Sequence, residues 1–212
     1  MSEDKDAPTR FMSFGAGVQT TALLLMDQFD EVVFADTGAE WPETYEYLEK
    51  VILPYVQERK IKFTVVRGSE KLEGQLATTL EDYCLQRRII PSRQHRWCTD
   101  RYKIKPIRKF VKLQGWHLPA TSVMGISYDE FHRMHTPHWH EYTFEYPLVD
   151  KRLTRQDCER IIREHGLPVP RKSGCYYCPF QRVAMWKELY LKHPDLFGRA
   201  RRLEETSKSY PK

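Results

Sequence analysis

Apolar positions along the chain come in two rhythms, and the alternation between them lays out the elements. Arg10–Met12 is a short apolar stretch running into a glycine-bearing loop, and Thr20–Phe29 behind it carries an apolar stripe at helical spacing. Glu31–Ala35 reads as a buried strand and Ile61–Val66 as an alternating one rich in β-branched residues. Between them Glu43–Arg59 reads as a helix, with Pro42 near its first turn. Thr99–Leu113 is a further helical stretch, in which Pro106 must kink the helix or mark its true start. Thr121–Ile126 and Tyr142–Tyr146 read as strands, the second ended by Pro147. Thr154–His165 is a helix, with Thr154 and Asp157 spaced as a capping box and Gly166 as its stop. Val183–Lys192 and Pro194–Thr206 fit two more helices. Strands alternating with helices predict an α/β fold: a mostly parallel five-stranded sheet with helices on both faces, plus a C-terminal helical segment.

Length and composition bound this picture. The 212 residues, 41% apolar and 30% charged, suit one ordinary globular domain, or one with a small appendage. No apolar run reaches the roughly 18 residues of a membrane-spanning helix, so no membrane partner is expected. The polar, acidic start MSEDKDAPTR lacks the basic and apolar stretches of a secretory signal, and a cytoplasmic location is expected. There the five cysteines would stay reduced, where clusters hold metal or do chemistry more often than they form disulfides. Charge is uneven. Residues 1–58 carry three Lys/Arg against twelve Asp/Glu, whereas residues 87–112 carry ten Lys/Arg against one Asp. Such a basic block suits a phosphate-rich partner or a solvated helix face, and Trp97, Tyr102 and Trp116 in or beside it would permit base stacking.

The first chemical signal is the loop Ser13-Phe14-Gly15-Ala16-Gly17-Val18-Gln19-Thr20-Thr21, set between a strand and a helix. Backbone N–H groups at such a turn can hold a phosphate; the alternative is an ordinary tight turn. The loop lacks both the Gly-Lys-Ser/Thr ending of a Walker A loop and the G-x-G-x-x-G spacing of a dinucleotide fingerprint.

The loop resembles the Ser-Gly-Gly-x-Asp-Ser loop of the PP-loop ATP pyrophosphatase superfamily. More narrowly, the chain is similar to the phosphoadenosine phosphosulfate reductase-like branch (adenine nucleotide alpha-hydrolase-like). Four more motifs carry the likeness in order: Phe34-Ala35-Asp36-Thr37-Gly38 with Trp41-Pro42-Glu43-Thr44; Trp97-Cys98-Thr99 through Tyr102-Lys103-Ile104-Lys105-Pro106; Met124-Gly125-Ile126 with Asp129, Glu130 and Arg133; and Thr154–Cys158 leading to Pro170-Arg171-Lys172-Ser173-Gly174-Cys175-Tyr176-Tyr177-Cys178-Pro179-Phe180. The likeness spans residues 10–205 and implies a PP-loop nucleotide-binding domain over 1–150 with a helical segment over 151–212 carrying the Cys-x-x-Cys pair. Two departures matter. Gln19 stands where the loop often has Asp, which bears on magnesium handling, and the reductases' C-terminal Glu-Cys-Gly-x-His segment and adjacent Cys-Cys pair are missing.

The resemblance implies attack on the α-phosphate of ATP, giving an adenylylated acceptor and pyrophosphate. Ser13, Phe14, Gly15, Ala16, Gly17, Gln19 and Thr20 would hold the phosphates. Asp36 and Thr37 would border the adenosine, with Gly125 in the nucleotide site. Lys103 and Arg133 would neutralise developing charge together with Mg²⁺. Cys98, Cys158, Cys175 and Cys178 would hold a 4Fe–4S cluster, zinc being the alternative; Cys84 is a spare that could replace Cys158. Cys158 in the first turn of a capped helix, and Cys98 among Arg96, Arg101 and Lys103, sit where a thiolate is favoured. A sulfur donor such as a cysteine desulfurase would supply sulfur, and the basic block would guide a nucleic-acid acceptor, tRNA or DNA. Two other readings stand beside this one: a reductase of adenylylated sulfate, and a non-catalytic nucleic-acid-binding module stabilised by zinc. The segment holding His135, His138 and His140 reads as a loop that could touch substrate, without the H-E-x-x-H logic of a helical metal site.

Overall fold

The computed structural model describes residues 9–72, 75–134 and 140–207. In chain order its elements are β1 (Arg10–Phe14), α1 (Val18–Met26), β2 (Glu31–Asp36), α2 (Pro42–Tyr47), a widened π turn (Leu48–Ile52), α3 (Leu53–Glu58), β3 (Phe63–Arg67), β4 (Glu70–Leu72), β5 (Gln75–Ala77), α4 (Leu80–Arg87) and α5 (Trp97–Thr99). A second π turn (Asp100–Ile104) leads to α6 (Lys105–Leu113), β6 (Ala120–Met124), a 3₁₀ segment (Tyr128–Arg133), β7 (Tyr142–Glu145), α7 (Pro147–Asp150), α8 (Arg155–Glu164), α9 (Val183–Lys192) and α10 (Pro194–Thr206). His135 and His138 lie outside the described residues, and His140 is exposed.

The chain folds into two compact units. The first comprises residues 9–35, 42–66 and 107–173, and the second 36–41, 67–106 and 174–207. This differs from the expected division at 150/151. Cys158, Ile161 and Ile162 of α8 are buried in the core that also holds Leu23 and Leu24 of α1, so the segment after 150 stays with the first unit as far as Ser173.

The first unit contains the five-stranded sheet, in the order β3-β2-β1-β6-β7. The pairs β1–β2, β1–β6 and β6–β7 are parallel, and Ser13 on β1 stands opposite Val33 of β2 and Met124 of β6. Alternate residues of one strand serve opposite faces. Met12, Phe14, Val32, Phe34 and Val123 join one core with α1, α3 and α8, while Phe11, Val33, Ala35 and Ala120 join another with Ile107 and Val111 of α6. All six residues of β2 are buried, as a strand covered on both faces must be.

Both long predicted helices contain a proline, and both deal with it the same way. The N–H of Leu53 reaches back to Leu48, and that of Lys105 to Asp100, one residue further than an α-helix allows. Pro54 and Pro106 follow directly. Each lacks an N–H and would clash with the preceding turn; widening that turn accommodates the ring without ending the helix.

The second unit is built from the hairpin β4–β5, which pairs antiparallel, with α4, α5, α9 and α10 around Trp41, Tyr83, Tyr102, Tyr176, Leu189 and Leu203. The hairpin and α4 lie in a stretch for which the apolar pattern predicted no element. Thr79 caps α4, accepting from the Asp82 N–H at 3.0 Å while the Asp82 carboxylate accepts from the Thr79 N–H at 3.1 Å.

One buried carboxylate makes the first unit acid-sensitive. Glu141 accepts from Arg108 Nη2 at 2.9 Å and pairs with Lys112 Nζ at 2.8 Å, and these cations hold its carboxyl down at about 2, against an ordinary value of 4.5. A lowered folded-state value adds stability that is present above pH 4.5 and is lost as pH falls toward 2. Glu141→Gln is expected to lower the urea midpoint at pH 7 and to flatten its decline across that acid window. A decline as steep as in the native chain would rule out this origin.

Candidate functional site

In the first unit, β1 ends at Ser13 and Phe14, and the chain turns into α1 through Gly15, Ala16 and Gly17. Ala16 sits at φ 53°, the left-handed region that costs an L-residue about 1–2 kcal/mol, so the loop holds a conformation its sequence does not favour locally. Thr20 fixes that shape. Its Oγ1 accepts from the Gly17 N–H at 3.2 Å and lies 3.1 Å from the Gly17 carbonyl, to which it donates. The hydroxyl expected to meet a phosphate is therefore engaged by the loop itself in this structure.

The neighbours of the loop are close. A Cβ on Gly125 would stand 2.6 Å from Thr20 Cγ2 and 3.0 Å from the Thr20 backbone nitrogen. A Cβ on Gly17 would stand 3.0 Å from Ser173 Oγ. Ser173 thus borders the loop, although nothing in its sequence spacing marked it as a site residue. Gln19 turns away from the loop: its amide donates to Glu130 Oε2 at 3.2 Å, and Glu130 pairs with Arg133 at 2.7 Å. Arg133, expected to neutralise phosphate charge, is committed to a carboxylate.

In the second unit the Asp-Thr-Gly turn is held by its own side chains. Asp36 Oδ1 accepts from the Gly38 N–H at 2.8 Å and Oδ2 pairs with Arg67 at 3.0 Å, while Gly38 takes φ +69°. Thr37 Oγ1 lies 3.2 Å from Glu40 Oε1 and 3.4 Å from Cys175 Sγ. Lys103 Nζ meets the same Glu40 oxygen at 3.2 Å. Glu40 is 1% exposed, which makes it the buried anion around which Thr37, Lys103 and Cys175 gather. Lys103 is pushed above its usual range, chiefly by the Glu40 charge, with burial opposing. Burial, followed by the Glu40 charge, pushes the Cys175 thiol up, with Lys103 opposing, so Cys175 is a neutral thiol at pH 7. Glu40 was missed in the sequence; its one signal is an acid placed between Ala39 and Trp41, both of which are buried.

The cysteines separate into two environments. Cys98, Cys175 and Cys178 belong to the second unit, and Cys84 is there with them. Burial pushes the Cys84 thiol up to about 12, with a hydrogen bond to Tyr177 opposing and Cys98 adding to the rise. Cys158, expected among the ligands, belongs to the first unit. It is fully buried in the apolar core of the first unit, and burial pushes its thiol up to about 12 against any pull from the helix start. Among the described residues no three His, Cys, Asp or Glu side chains are grouped to hold a metal ion. The thiols as placed, and a loop with Gln19 hydrogen-bonded to Glu130, do not fit a finished cluster or magnesium site.

Half of the ten cations in the basic block are paired with carboxylates of the chain itself. Arg101 pairs with Glu70, Lys103 with Glu40, Lys105 with Asp100, and Arg108 and Lys112 with Glu141. Among the described residues no helix is long and apolar enough to cross a membrane.

The sequence model of the phosphoadenosine phosphosulfate reductase domain matches residues 8–171. The uncharacterized protein MJ0066 of Methanocaldococcus jannaschii is 31% identical over 182 residues, which are 79% of this chain and 34% of that protein. A second protein of that organism, MJ0973, is 25% identical over 189 residues, 80% of this chain and 40% of its own length. The chain therefore spans only about a third to two-fifths of these curated relatives. Among solved structures, a phosphoadenylyl-sulfate reductase from Candida auris in its phosphate complex superposes with a TM-score of 0.59 at 13% identity, covering 82% of this chain and 84% of that one. This second likeness is one of fold.

Proposed function

We propose, for a chain that belongs to the phosphoadenosine phosphosulfate reductase domain family, that it is an ATP pyrophosphatase activating an acceptor for sulfur transfer. The observation that carries the reading is the loop: a strand end, a left-handed Ala16, a Gly17 that a side chain would crowd, and the N-terminus of α1 directly behind. Backbone N–H groups and the partial positive charge of a helix start favour an anion there. An acceptor oxygen would attack the α-phosphorus of ATP. The bond from that phosphorus to the bridging oxygen breaks, and pyrophosphate leaves with its electron pair. A donor sulfur would then displace AMP from the activated acceptor, which we take to be a nucleic acid. The chain's own residues supply positioning, which is most of what phosphoryl transfer asks of a protein. Ser13 and the loop amides would hold the phosphates, and Arg133 would act only after exchanging Glu130 for a phosphate.

Family membership also favours a second reading, reduction of an adenylylated sulfate. The two differ in product: pyrophosphate from ATP in one, sulfite from the sulfonucleotide in the other. Incubating the chain with ATP and candidate acceptors, and separately with adenylyl sulfates and a dithiol reductant, decides between them. A lost hydrogen bond to a charged group costs roughly 1.5–3 kcal/mol, so Ser13→Ala is expected to weaken ATP binding in calorimetry by about ten-fold or more. Gly17→Val, which meets Ser173, is expected to block it. Native ATP affinity in both variants would overturn the loop assignment.

A further inference from the structure

We propose that Phe180, with Arg93 and Arg96 beside it, is a stacking platform in the second unit for single-stranded nucleic acid. It rests on the acceptor part of the reading above and gives that acceptor a contact surface. Three observations lead to it. First, once the internal ion pairs of the basic block are set aside, Arg87, Arg88, Arg93, Arg96 and Lys109 remain exposed, with no acidic partner among the described residues. Second, two of these converge on one aromatic ring. The guanidinium carbons of Arg93 and Arg96 each lie 5.6 Å from the Phe180 centroid. Two like charges brought to one place without an acid are held at a cost, which a bound polyanion would remove. Third, the ring faces outward. Phe180 is 41% exposed, although the chain around it is firmly held. The Cys178 N–H donates to the Cys175 carbonyl at 3.0 Å, the Gln181 N–H to the Cys178 carbonyl at 3.0 Å, and the Gln181 amide to the Tyr176 carbonyl at 2.6 Å. Exposed Arg182 adds a further cation two residues on in the chain.

This combination selects for unpaired bases. Guanidinium groups meet phosphates whatever the sequence, and a phenyl ring offers a face to any base that is free to turn onto it. In a duplex the base faces are already stacked on one another, so the ring would find only edges and backbone. Charge alone would attract both forms, and Phe180 is the feature that separates them.

The test uses fluorescence anisotropy on the full chain without ATP, with a labelled oligouridine of about 15 nucleotides and a duplex RNA of equal length. The single strand is expected to bind tighter than the duplex. Phe180→Ala is expected to weaken it by roughly 5- to 150-fold, the range that loss of one aromatic–base stack gives, and Phe180→Trp to retain it. Inorganic polyphosphate, a polyanion without bases, is expected to bind the native chain and Phe180→Ala alike. Arg93→Ala with Arg96→Ala should weaken all three probes and reduce the salt slope on the single strand by about 1.4, at roughly 0.7 per phosphate contact. Urea midpoints check that Phe180→Ala is folded, and rescue by Trp guards against a merely structural loss. Equal affinity for duplex and single strand, or a Phe180→Ala chain that binds oligouridine as the native one does, would overturn the platform and leave a nucleic-acid acceptor standing. Failure to bind any nucleic acid at low salt would overturn both and point the arginines at an acidic protein. The ATP and pyrophosphate assays above judge the nucleotide chemistry separately.

Discussion

Replacing Gly125 by Ala is expected to lower stability by about 1–3 kcal/mol and to weaken ATP binding at least ten-fold, although residue 125 has no side chain to touch a ligand. The cause is steric and lies in α1. The new methyl carbon would stand 2.6 Å from Thr20 Cγ2, 3.0 Å from the Thr20 nitrogen and 3.1 Å from its Cα. Backbone cannot rotate away as a side-chain tip can, so the first turn of α1 must shift. Thr20 is also the residue whose hydroxyl bonds both the N–H and the carbonyl of Gly17, so the loop would shift with it. Thr20→Ser removes the closest atom while keeping the hydroxyl. Gly125→Ala combined with Thr20→Ser should therefore recover part of the loss, and not all of it, because the contacts to nitrogen and Cα remain. Urea denaturation of the four chains of this cycle gives the coupling, and calorimetry with ATP gives the functional half. A Gly125→Ala chain of native stability would mean the approach of β6 to α1 is looser than these distances.

Replacing Lys103 by Ala is expected to cost about 2–3 kcal/mol, below the roughly 3–5 typical of breaking a buried pair. Glu40 would be left at 1% exposure with its cation gone. The cost is moderated because Lys103 is itself 36% exposed, and because Thr37 still donates to the same carboxylate oxygen. Adding Glu40→Gln removes the stranded charge, so the double variant should be more stable than Lys103→Ala alone. Lys103→Met keeps an apolar stem and should be as damaging as Ala if charge decides, or near native if packing does. Urea midpoints of the four chains settle which. A Lys103→Ala chain within about 0.5 kcal/mol of native, the usual range for surface changes, would remove Glu40 as the organising anion of the second unit. Lys103 would then be free for the phosphate role its motif suggested.

The contrast between Lys103 and Glu40 shows where sequence reading stopped. Lys103 could be picked out because it sits in a recognisable motif; Glu40 could not, because nothing local says that a carboxylate will be buried. Thr37 and Cys175 are 138 positions apart, yet 3.4 Å apart in the fold. The same limit governed the cysteines. The sequence makes Cys158 the fourth ligand and Cys84 a spare, and only the packing of α8 on α1 places Cys158 in an apolar core, while Cys84 is buried in the core against which Cys98 packs. Prolines were a milder failure. By sequence Pro106 must kink its helix or mark the start; a π turn absorbs it, and the same device carries the chain past Pro54.

What the sequence determined by itself was whatever depends on periodicity and on neighbours in the chain. The five strands, the full burial of β2, the helices α1, α8, α9 and α10, and the Thr154–Asp157 box all follow from side chains at fixed spacing competing for one apolar interior. The strand–loop–helix turn at Ser13–Thr20 belongs here too, since glycines at that place in the chain are a local necessity. Tertiary structure decided which charges meet. It gave Arg133 to Glu130, Lys103 to Glu40, and Arg108 with Lys112 to Glu141, and left Arg93 and Arg96 beside Phe180. It also divided the chain at places no linker marks. The reason is physical: periodicity is a property of successive residues, whereas an ion pair or a buried thiol depends on distances set by every element packed between the two partners.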